Sequence, residues 1–393
     1  MTSKLVLIVS IICLVGCQPK TLSLDYFGQD KPETEPMVFA KDIVSMANRL
    51  EHGISFTPDG QELAFGVLNK TDFRGQVYYS KKVNNSWREP ALLEALKTES
   101  VFLPYFSPDG KYLLYAQSQP DKNTGFTDIF KLSRENGNWT HTEKLPSCVN
   151  SSDRQASACM SLDGDLYFST NRIGLADIYR SPLEDGIYKQ AESMSSINTE
   201  RDEESIFISP DETYMLFSRY ASRQTGPDLY ITYRDFFGNW THAKPIDTSI
   251  NSSDWERRPF VSMDKKYLFF TRLFFDKNAL IESDIYWVNT KKMFKPFVYN
   301  SIPDMTIKLG EEKEILIPAN YFKDINDEQL RLELKQTDQD WIQFDKENRI
   351  LKISAKRVGT FDLTFVATDD ASNRTENRVK ITVTSNNANY VNL

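Results

Sequence analysis

The sequence predicts an all-β chain, a five-bladed β-propeller followed by a small β-sandwich. The first observation is the hairpin sequence at 106–116, in which two β-prone segments flank a Ser-Pro-Asp-Gly turn. Proline fixes φ, aspartate caps the turn, and glycine adopts a backbone conformation that residues with a Cβ avoid. The second observation is a period of about 50 residues, which is typical of propellers with one four-stranded blade per repeat. Copies of the hairpin have their turn aspartates at Asp59, Asp109, Asp163, Asp211 and Asp264.

The first 16 residues have the pattern of a bacterial secretion signal. Lys4 precedes an apolar run at 5–15 that is too short to cross a membrane comfortably, and a small residue lies before Cys17. The sequence Leu-Val-Gly-Cys at 14–17 resembles the lipobox of bacterial lipoproteins. The resemblance implies cleavage before Cys17, lipidation of its thiol and, because glutamine follows, an outer-membrane lipoprotein that is either periplasmic or surface-exposed. The alternative is an ordinary cleaved signal.

The composition after the signal limits the function further. Residues 17–35 are polar and predict a tether between the lipid anchor and a fold that begins near residue 36. The formal net charge of -8 argues against nucleic-acid binding, which needs a basic surface. Apart from the cysteines of the signal and the anchor, Cys148 and Cys159 remain. They form either a disulfide, which an oxidising periplasm permits, or two buried free thiols.

Each repeat continues beyond its hairpin into two further strands. A third strand carries sequences such as Asp-Ile-Phe at 128–130, and a fourth begins at an aromatic residue such as Trp139 after a polar turn. The fifth repeat loses this pattern after 284–288, whereas residues 36–43 look like a fourth strand without a blade. We therefore predict that the N-terminal strand completes the last blade and leaves no unpaired edge. Six blades are the alternative, if residues 294–301 and an irregular N-terminal segment form another.

The five hairpins together resemble the propeller repeat of the TolB-like family of periplasmic and outer-membrane proteins, over residues 36–301. Leu162 and Met263 replace the proline of the repeat, and Glu212 and Lys265 replace its glycine, which weakens individual turns. The resemblance implies binding of a protein or a glycan in the cell envelope, by a family with diverse ligands and few enzymes.

Residues 302–387 predict a second, smaller domain. The period stops, and short alternating strands with polar turns indicate a β-sandwich. The segments 321–327 and 367–370 resemble cadherin-like, dystroglycan-type modules of bacterial surface proteins. Oxygen donors in these segments are of the kind that calcium prefers, but their spacing matches no complete calcium loop, and turn capping is the alternative interpretation. The candidates for calcium are Asp324, Asp327 and Asp369, with Asn326 and Asp370 beside them.

The mouth of the propeller is the expected place for a ligand, because loops from every blade converge there. Polar residues recur eight positions before the turn aspartates and just after the second strands. One interpretation is a site for a glycan or a peptide terminus, with bidentate arginines and a tryptophan that stacks on a sugar ring. The other is that each arginine pairs with a neighbouring blade's carboxylate and fixes the blades together. The candidates are Glu51, Arg172, Glu203, Arg219, Trp255, Glu256 and Arg272, with Val101 and Gln155 at the equivalent positions of the second and third repeats.

Several enzyme classes lack their sequence signatures. There is no Gly-x-Ser-x-Gly elbow or phosphate-binding Gly-x-x-x-x-Gly-Lys loop, and the three histidines are not positioned to converge on a metal. A glycosidase that uses Glu203 and Glu256 as acid and base is the remaining enzymatic alternative.

We therefore expect a lipid-anchored envelope protein whose propeller binds a glycan or a protein, without a cofactor unless calcium binds the tail. The alternatives are a glycosidase or lyase that acts on a polysaccharide, and a TolB-like scaffold that docks envelope lipoproteins.

Overall fold

The computed structural model describes residues 25–119, 126–222, 226–326, 329–335 and 338–385. The secretion signal, Cys17 and Asp327 lie outside these residues. The described chain is almost entirely β-structure and contains no α-helix, only two short 3-10 helices at Glu94–Leu96 and Thr290–Lys292. None of its helices is long and apolar enough to cross a membrane.

The larger part of the chain is a β-propeller built from antiparallel units of four strand positions, five of them among the described residues. The N-terminal strand is β1 (Met37–Val38), and the first unit contains β2 (Leu50–Phe56), β3 (Glu62–Leu68), β4 (Gly75–Val83), β5 (Ser86–Trp87) and β6 (Ala91–Leu92). The second contains β7 (Val101–Phe106), β8 (Tyr112–Ser118), β9 (Thr127–Glu135) and β10 (Asn138–Lys144).

The third unit contains β11 (Gln155–Met160), β12 (Leu166–Thr170) and β13 (Asp177–Ser181), a side hairpin of β14 (Leu183–Glu184) and β15 (Ile187–Tyr188), and β16 (Glu192–Ser193). The fourth contains β17 (Glu203–Ile208), β18 (Tyr214–Ser222), β19 (Gly226–Tyr233) and β20 (Lys244–Pro245). The fifth contains β21 (Trp255–Val261), β22 (Tyr267–Asp276) and β23 (Ala279–Asn289). We interpret each unit as one blade.

The N-terminal strand completes the fifth unit, as the sequence predicts. β1 pairs antiparallel with β23, with Met37 opposite Trp287 and Val38 opposite Tyr286. Leu50 of the first unit also forms a parallel bridge to Ser283 of β23. The start and the end of the propeller are therefore joined through one sheet, and the edge of β23 is covered.

The repeated turns form as their sequence predicts. Ser107 donates a hydrogen bond from Oγ to Oδ1 of Asp109 at 2.7 Å, and the amide of Lys111 donates to the same oxygen at 3.1 Å. Gly110 has a φ of 71°. Where the repeat has lost this glycine, Glu212 and Lys265 take the left-handed conformation with φ of 54° and 59°. Each such residue lowers the stability of the fold by about 1 kcal/mol, and the interactions of the surrounding hairpin offset this loss.

The interior is apolar and is divided between the two parts of the chain. Aromatic side chains such as Phe65, Phe217 and Trp287 are fully buried between the propeller sheets. Cys148 and Cys159 are free thiols and form no disulfide; Cys159 is buried as the second alternative expects, whereas Cys148 is partly exposed.

The tail forms two larger sheets with a core of their own, which contains Tyr321, Phe365 and Ile381. The segment that could have contributed a sixth blade instead supplies β24 (Phe297–Val298), which pairs with β27 (Phe322–Lys323) in a small third sheet next to this core. Asn373 donates a hydrogen bond to the carbonyl of Lys291 at 3.1 Å, which connects the tail to the end of the propeller. The strands of this part are β24 (Phe297–Val298), β25 (Met305–Lys308), β26 (Glu312–Leu316), β27 (Phe322–Lys323), β28 (Arg331–Leu334), β29 (Ile342–Asp345), β30 (Ile350–Ser354), β31 (Gly359–Thr368) and β32 (Arg374–Thr384).

Candidate functional site

Two of the predicted carboxylates form buried ion pairs with the predicted arginines of the same blade. Arg219 donates from Nε to Oε1 of Glu203 at 2.7 Å, and Arg272 donates from Nε to Oε1 of Glu256 at 2.8 Å. Both glutamates are fully buried. The pairs connect the first and second strands of one blade, whereas the structural interpretation of these residues predicts pairs between neighbouring blades. These four residues thus have partners within the protein.

Each pair also holds the loop that arrives from the preceding blade. Arg219 donates from Nη2 to the carbonyl of Ile197 at 2.7 Å, and Thr199 donates from its amide and hydroxyl to the two carboxylate oxygens of Glu203. Asn198, in the same loop, bonds with its side chain to the amide and carbonyl of Ile178 in the preceding blade. We call this arrangement of carboxylate or amide, arginine and loop asparagine a junction clamp.

The clamp recurs, with substitutions, at other blade junctions. Glu256 and Arg272 hold the loop that contains Ser252 and Asn251 in the same way. At the junction before the third blade, a neutral glutamine replaces the glutamate: Gln155 bonds to Ser151, and Arg172 donates to the carbonyl of Val149 at 2.8 Å. At the ring closure, Arg49 pairs with Glu51 and donates to the carbonyl of Val44, while Ser45 takes the part of the asparagine. The clamps support the structural interpretation of these residues.

The junction between the first and second blades differs from these four. Val101 occupies the position of the clamp carboxylate, and it lies in a separate apolar cluster with Val77, Leu96, Leu113 and Trp139. This junction has no clamp: apolar packing holds it, together with hydrogen bonds from the amide of Gly75 to Oγ of Ser100 and from the amide of Phe106 to Oγ of Ser55.

Trp255 lies at the rim, and its side chain packs against neighbouring aromatic rings. Its indole packs against Phe275, with ring centroids 4.3 Å apart, and edge-on against Tyr220 at 5.7 Å. A Cβ on Gly226 would lie 2.0 Å from Cδ1 of Trp255, so the glycine makes room for the indole. Because the indole remains partly exposed, stacking of a sugar on Trp255 stays a prediction.

The acidic residues of the tail cap turns. Asp324 accepts a hydrogen bond from the amide of Asn326 at 2.9 Å, and Asp369 accepts from the amide and side chain of Asn373, each at 2.7 Å. Within the described part of the chain, no group of three or more His, Cys, Asp or Glu side chains is placed to hold a metal ion.

The centre of the propeller is lined by residues that follow the clamp positions. In every innermost strand, the residue six positions before the turn aspartate has a positive φ, between 51° and 81°, and the strand register shifts there. Such a bulge re-aims a side chain and interrupts the alternation of the strand. The five residues border one small cavity on the axis, and they are Gly53, Leu103, Ser157, Ser205 and Arg258.

Three arginines and one glutamate meet at this centre. Arg257 donates to Oε1 of Glu204 and, at 3.0 Å, to the hydroxyl of Tyr220. Nη2 of Arg154 lies 3.6 Å from Oε2 of Glu204, an ionic contact beyond hydrogen-bonding distance. Arg258 is only 8% exposed, and its Nε and Nη1 atoms are buried without a hydrogen-bond partner. We call these four charged residues the arginine cluster.

The ionisation of nearby groups follows from this charge. Burial, then Arg258, Arg257 and Arg154, lower the pKa of His52 well below its ordinary value, so the imidazole is neutral at physiological pH. Burial alone would raise the pKa of Glu204, but the three arginines outweigh it and lower that pKa, so the carboxylate stays ionised. Burial and Arg257 lower the pKa of Arg258. The cluster therefore carries more positive than negative charge within a protein that is acidic as a whole.

A cavity of about 860 Å³ opens beside the arginine cluster, over the first three blades. Arg154 and Arg258 form its inner wall with His52, whereas Phe73, Phe102 and Leu103 give it an apolar side. Its volume falls within the range of small-molecule sites, about 300–1,000 Å³. The cavity brings together cationic groups, an apolar side and polar groups such as Gln119, and two carboxylates, Asp72 and Glu99, also line it.

The sequence prediction identified the correct strand ends but not the residues of this cavity. Glu203 and Glu256 precede Glu204 and Arg257 by one residue, and successive side chains of a strand point to opposite sides. The signal that could have identified the cluster is the pair Arg257 and Arg258, two consecutive cationic residues that follow Glu256 in an innermost strand.

Comparison with known proteins assigns no function. No family model and no curated protein matches the sequence. TolB from Acinetobacter baumannii is similar in structure, with 15% identity and a TM-score of 0.39, over 62% of this chain and 55% of that one. An oligogalacturonate lyase in complex with manganese shows 15% identity and a TM-score of 0.37, over 62% of this chain and 66% of the lyase.

The catalytic domain of a GH62 α-L-arabinofuranosidase from Coprinopsis cinerea shows 8% identity and a TM-score of 0.42, over 66% of this chain and 98% of that domain. The match spans little more than half of TolB. At these identities and TM-scores the likeness carries no argument about function, and the assignment of a β-propeller rests on the strand pairing of this chain.

Proposed function

We propose that this protein is a binding protein of the bacterial cell envelope whose propeller holds its ligand in the cavity beside the arginine cluster. The observation that carries the proposal is Arg258, a buried guanidinium with open N–H groups on the wall of a cavity of about 860 Å³. Removal of a charge from water costs several kcal/mol unless a partner compensates it. A ligand that enters the cavity would supply that partner.

A binding role is favoured over hydrolysis by the state of the carboxylates. Glu203 and Glu256, the candidates for acid and base, are fully buried and bonded to an arginine and a loop. Glu204 is ionised and bound to Arg257, so it has no proton to donate. A glycosidase needs two carboxylates that face the scissile bond, one of them protonated. The clamps hold these glutamates away from such a role.

The cellular place of the protein is the second part of the proposal. The sequence at 14–17 supports an outer-membrane lipoprotein anchored through Cys17. Cys17→Ser should release the chain into the soluble periplasmic fraction, because one lipidated residue supplies the anchor. Fractionation followed by immunoblotting tests this, and continued membrane association of the variant would contradict a lipid anchor at this residue.

The experiment for the binding role is a screen of glycans, peptidoglycan fragments and peptides against the Cys17→Ser protein. Isothermal titration calorimetry would report binding, and mass spectrometry of the recovered ligands would report cleavage. We expect binding without a change of mass. Cleavage that Glu203→Gln abolishes would favour the glycosidase, and cross-linking to an envelope protein without ligand binding would favour the scaffold.

A further inference from the structure

The arginines of this propeller fall into two groups. Those of the junction clamps donate both to a side-chain oxygen and to a loop carbonyl: Arg219 and Arg272 donate to a carboxylate, and Arg172 donates to the hydroxyl of Thr170. Those of the arginine cluster share the single carboxylate of Glu204, which bonds to Arg257 and contacts Arg154. Arg258 has open Nε and Nη1 atoms beside them. The second group therefore has an excess of positive charge and of hydrogen-bond donors.

We propose that the ligand is an acidic oligosaccharide whose carboxylate binds Arg258 and Arg154 at the inner wall of the cavity. This inference rests on the proposed function and specifies its ligand. A guanidinium presents a planar fork of N–H donors that matches a carboxylate in bidentate fashion, and a charge-assisted pair of this kind is stronger than a neutral hydrogen bond. The carboxylate would supply the partner that the protein does not give to Arg258.

The position of Arg258 is imposed by the backbone and does not result from a flexible side chain. Its φ is 55°, in the left-handed region, so the residue sits in the bulge of β21 and borders the channel. Its stem packs on Gly53, where an added Cβ would lie 3.3 Å from Cδ of Arg258. The glycine leaves room for this aliphatic part of the side chain, and Arg258 lines both the small axial cavity and the larger one. The strained backbone and the close contact hold the guanidinium in place before a ligand binds, which lowers the entropic cost of binding.

Glu204 acts as a positioning residue within the same group. It holds Arg257 against Tyr220, and so draws that guanidinium away from the cavity wall. Because Glu204 bonds directly to Arg257 and only contacts Arg154 across 3.6 Å, Arg154 keeps donors for a ligand. Arg154 and Arg258 are therefore the members of the cluster that line the cavity, and a third lining arginine, Arg74, donates to the carbonyl of Thr98.

The opposite wall favours a sugar over a bare anion. Phe73 is 50% exposed at the rim with a φ of 54°, and Phe102 and Leu103 continue the apolar surface inward. A pyranose ring has an apolar C–H face that packs on aromatic side chains and hydroxyls that bond to polar groups such as Gln119 and Ser118. A sugar that carries a carboxylate is complementary to both walls at once.

The test compares an acidic oligosaccharide with its neutral counterpart. The probes are a trisaccharide of galacturonic acid and the same trisaccharide with its carboxyl groups reduced to alcohols, titrated calorimetrically into the Cys17→Ser protein. We expect the acidic form to bind at least tenfold more tightly, and Arg258→Met to remove that preference. Arg378→Met, on an exposed position of β32 in the tail, is the matched control and should bind like the parent.

A second measurement, the melting temperature without a ligand, distinguishes whether Arg258 serves to bind a ligand or to support the fold. Loss of a buried guanidinium that lacks partners should leave the melting temperature unchanged or raise it, since sites for ligands are commonly built at the expense of stability. A fall in the melting temperature of Arg258→Met by more than that of a clamp variant would overturn the inference, because it would show that Arg258 supports the fold.

The outcomes distinguish this inference from the proposed function. Equal affinity for the acidic and reduced trisaccharides, or tight binding of other neutral glycans that Arg258→Met leaves unchanged, would refute the inference and keep the binding function. Binding of a peptide through its free C-terminal carboxylate, with no binding of the trisaccharide, would refute the sugar. Absence of binding to any acidic or neutral probe would contradict both.

Discussion

Replacement of Arg219 by methionine tests whether the junction clamps stabilise the propeller. Methionine keeps much of the length of the side chain but removes the donors to Glu203 and to the carbonyl of Ile197. The carboxylate of Glu203 then stays fully buried with only the hydrogen bonds from Thr199. Removal of one partner from a buried ion pair costs about 3–5 kcal/mol, because the other charge is left uncompensated. We expect a loss of this size in the free energy of unfolding.

The third blade supplies a matched comparison. Arg172 makes the equivalent bond to the carbonyl of Val149, but a neutral Gln155 stands in place of the glutamate. Arg172→Met therefore leaves an unpaired carbonyl and no unpaired charge, and should cost about 1–3 kcal/mol. The double variant Glu203→Gln with Arg219→Met should recover part of the stability that Arg219→Met loses, since it leaves no buried charge unpaired.

Urea unfolding of the full chain, followed by tryptophan fluorescence and far-UV circular dichroism, measures these differences. At about 2–4 °C per kcal/mol for a domain of 150–250 residues, Arg219→Met should also lower the melting temperature by about 10 °C. A loss below about 1 kcal/mol for Arg219→Met, or an equal loss for Arg172→Met, would refute the reasoning that the buried charge makes the clamp strong.

Two further predictions concern the ring closure and the rim. Burial, with a smaller contribution from Asp284, raises the pKa of Glu51 to about 7, although its ion pair with Arg49 acts in the opposite direction. The folded state thus holds the proton more tightly than the unfolded state, so this contribution to stability is complete below the ordinary pKa of 4.5 and is lost as the pH rises through about 7. Glu51→Gln should flatten the dependence of stability on pH over this window, as measured by urea midpoints, and an unchanged profile would contradict the raised pKa. Gly226→Ala should displace Trp255, because its Cβ would lie 2.0 Å from the indole and the φ of 74° disfavours a Cβ. We expect a shifted tryptophan emission and a loss of about 1–3 kcal/mol in the free energy of unfolding. A native-like emission spectrum would argue against this packing.

The sequence predicted the fold because its signals are local and repeated. A turn such as that at Asp109 encodes its own geometry, and five copies at one period imply a ring. The strand at residues 36–43 could be assigned to the last blade because one fourth strand was missing and one was left over. These inferences need only the order of the elements.

The site was harder to predict because it depends on the direction of side chains. The count of eight residues back from a turn aspartate located Glu203 and Glu256, but a count does not tell which side of a strand faces the axis. The bulge with positive φ at Ser205 and Arg258 changes that direction again, and neither residue is a type that marks such a bulge. The partners of the clamp arginines include backbone carbonyls, which leave no trace in the sequence.

The junction at Val101, between the first and second blades, lacks a clamp, so these two blades can move relative to each other more easily than the others. Hydrogen bonds in a clamp are directional and break when two blades slide or tilt, whereas apolar surfaces tolerate small displacements with little change in energy. Both blades contribute to the lining of the cavity of about 860 Å³, with Leu68 from the first and Ala116 from the second. A displacement of these two blades would therefore change the width of the cavity, whereas the clamps would resist the same displacement at the other junctions.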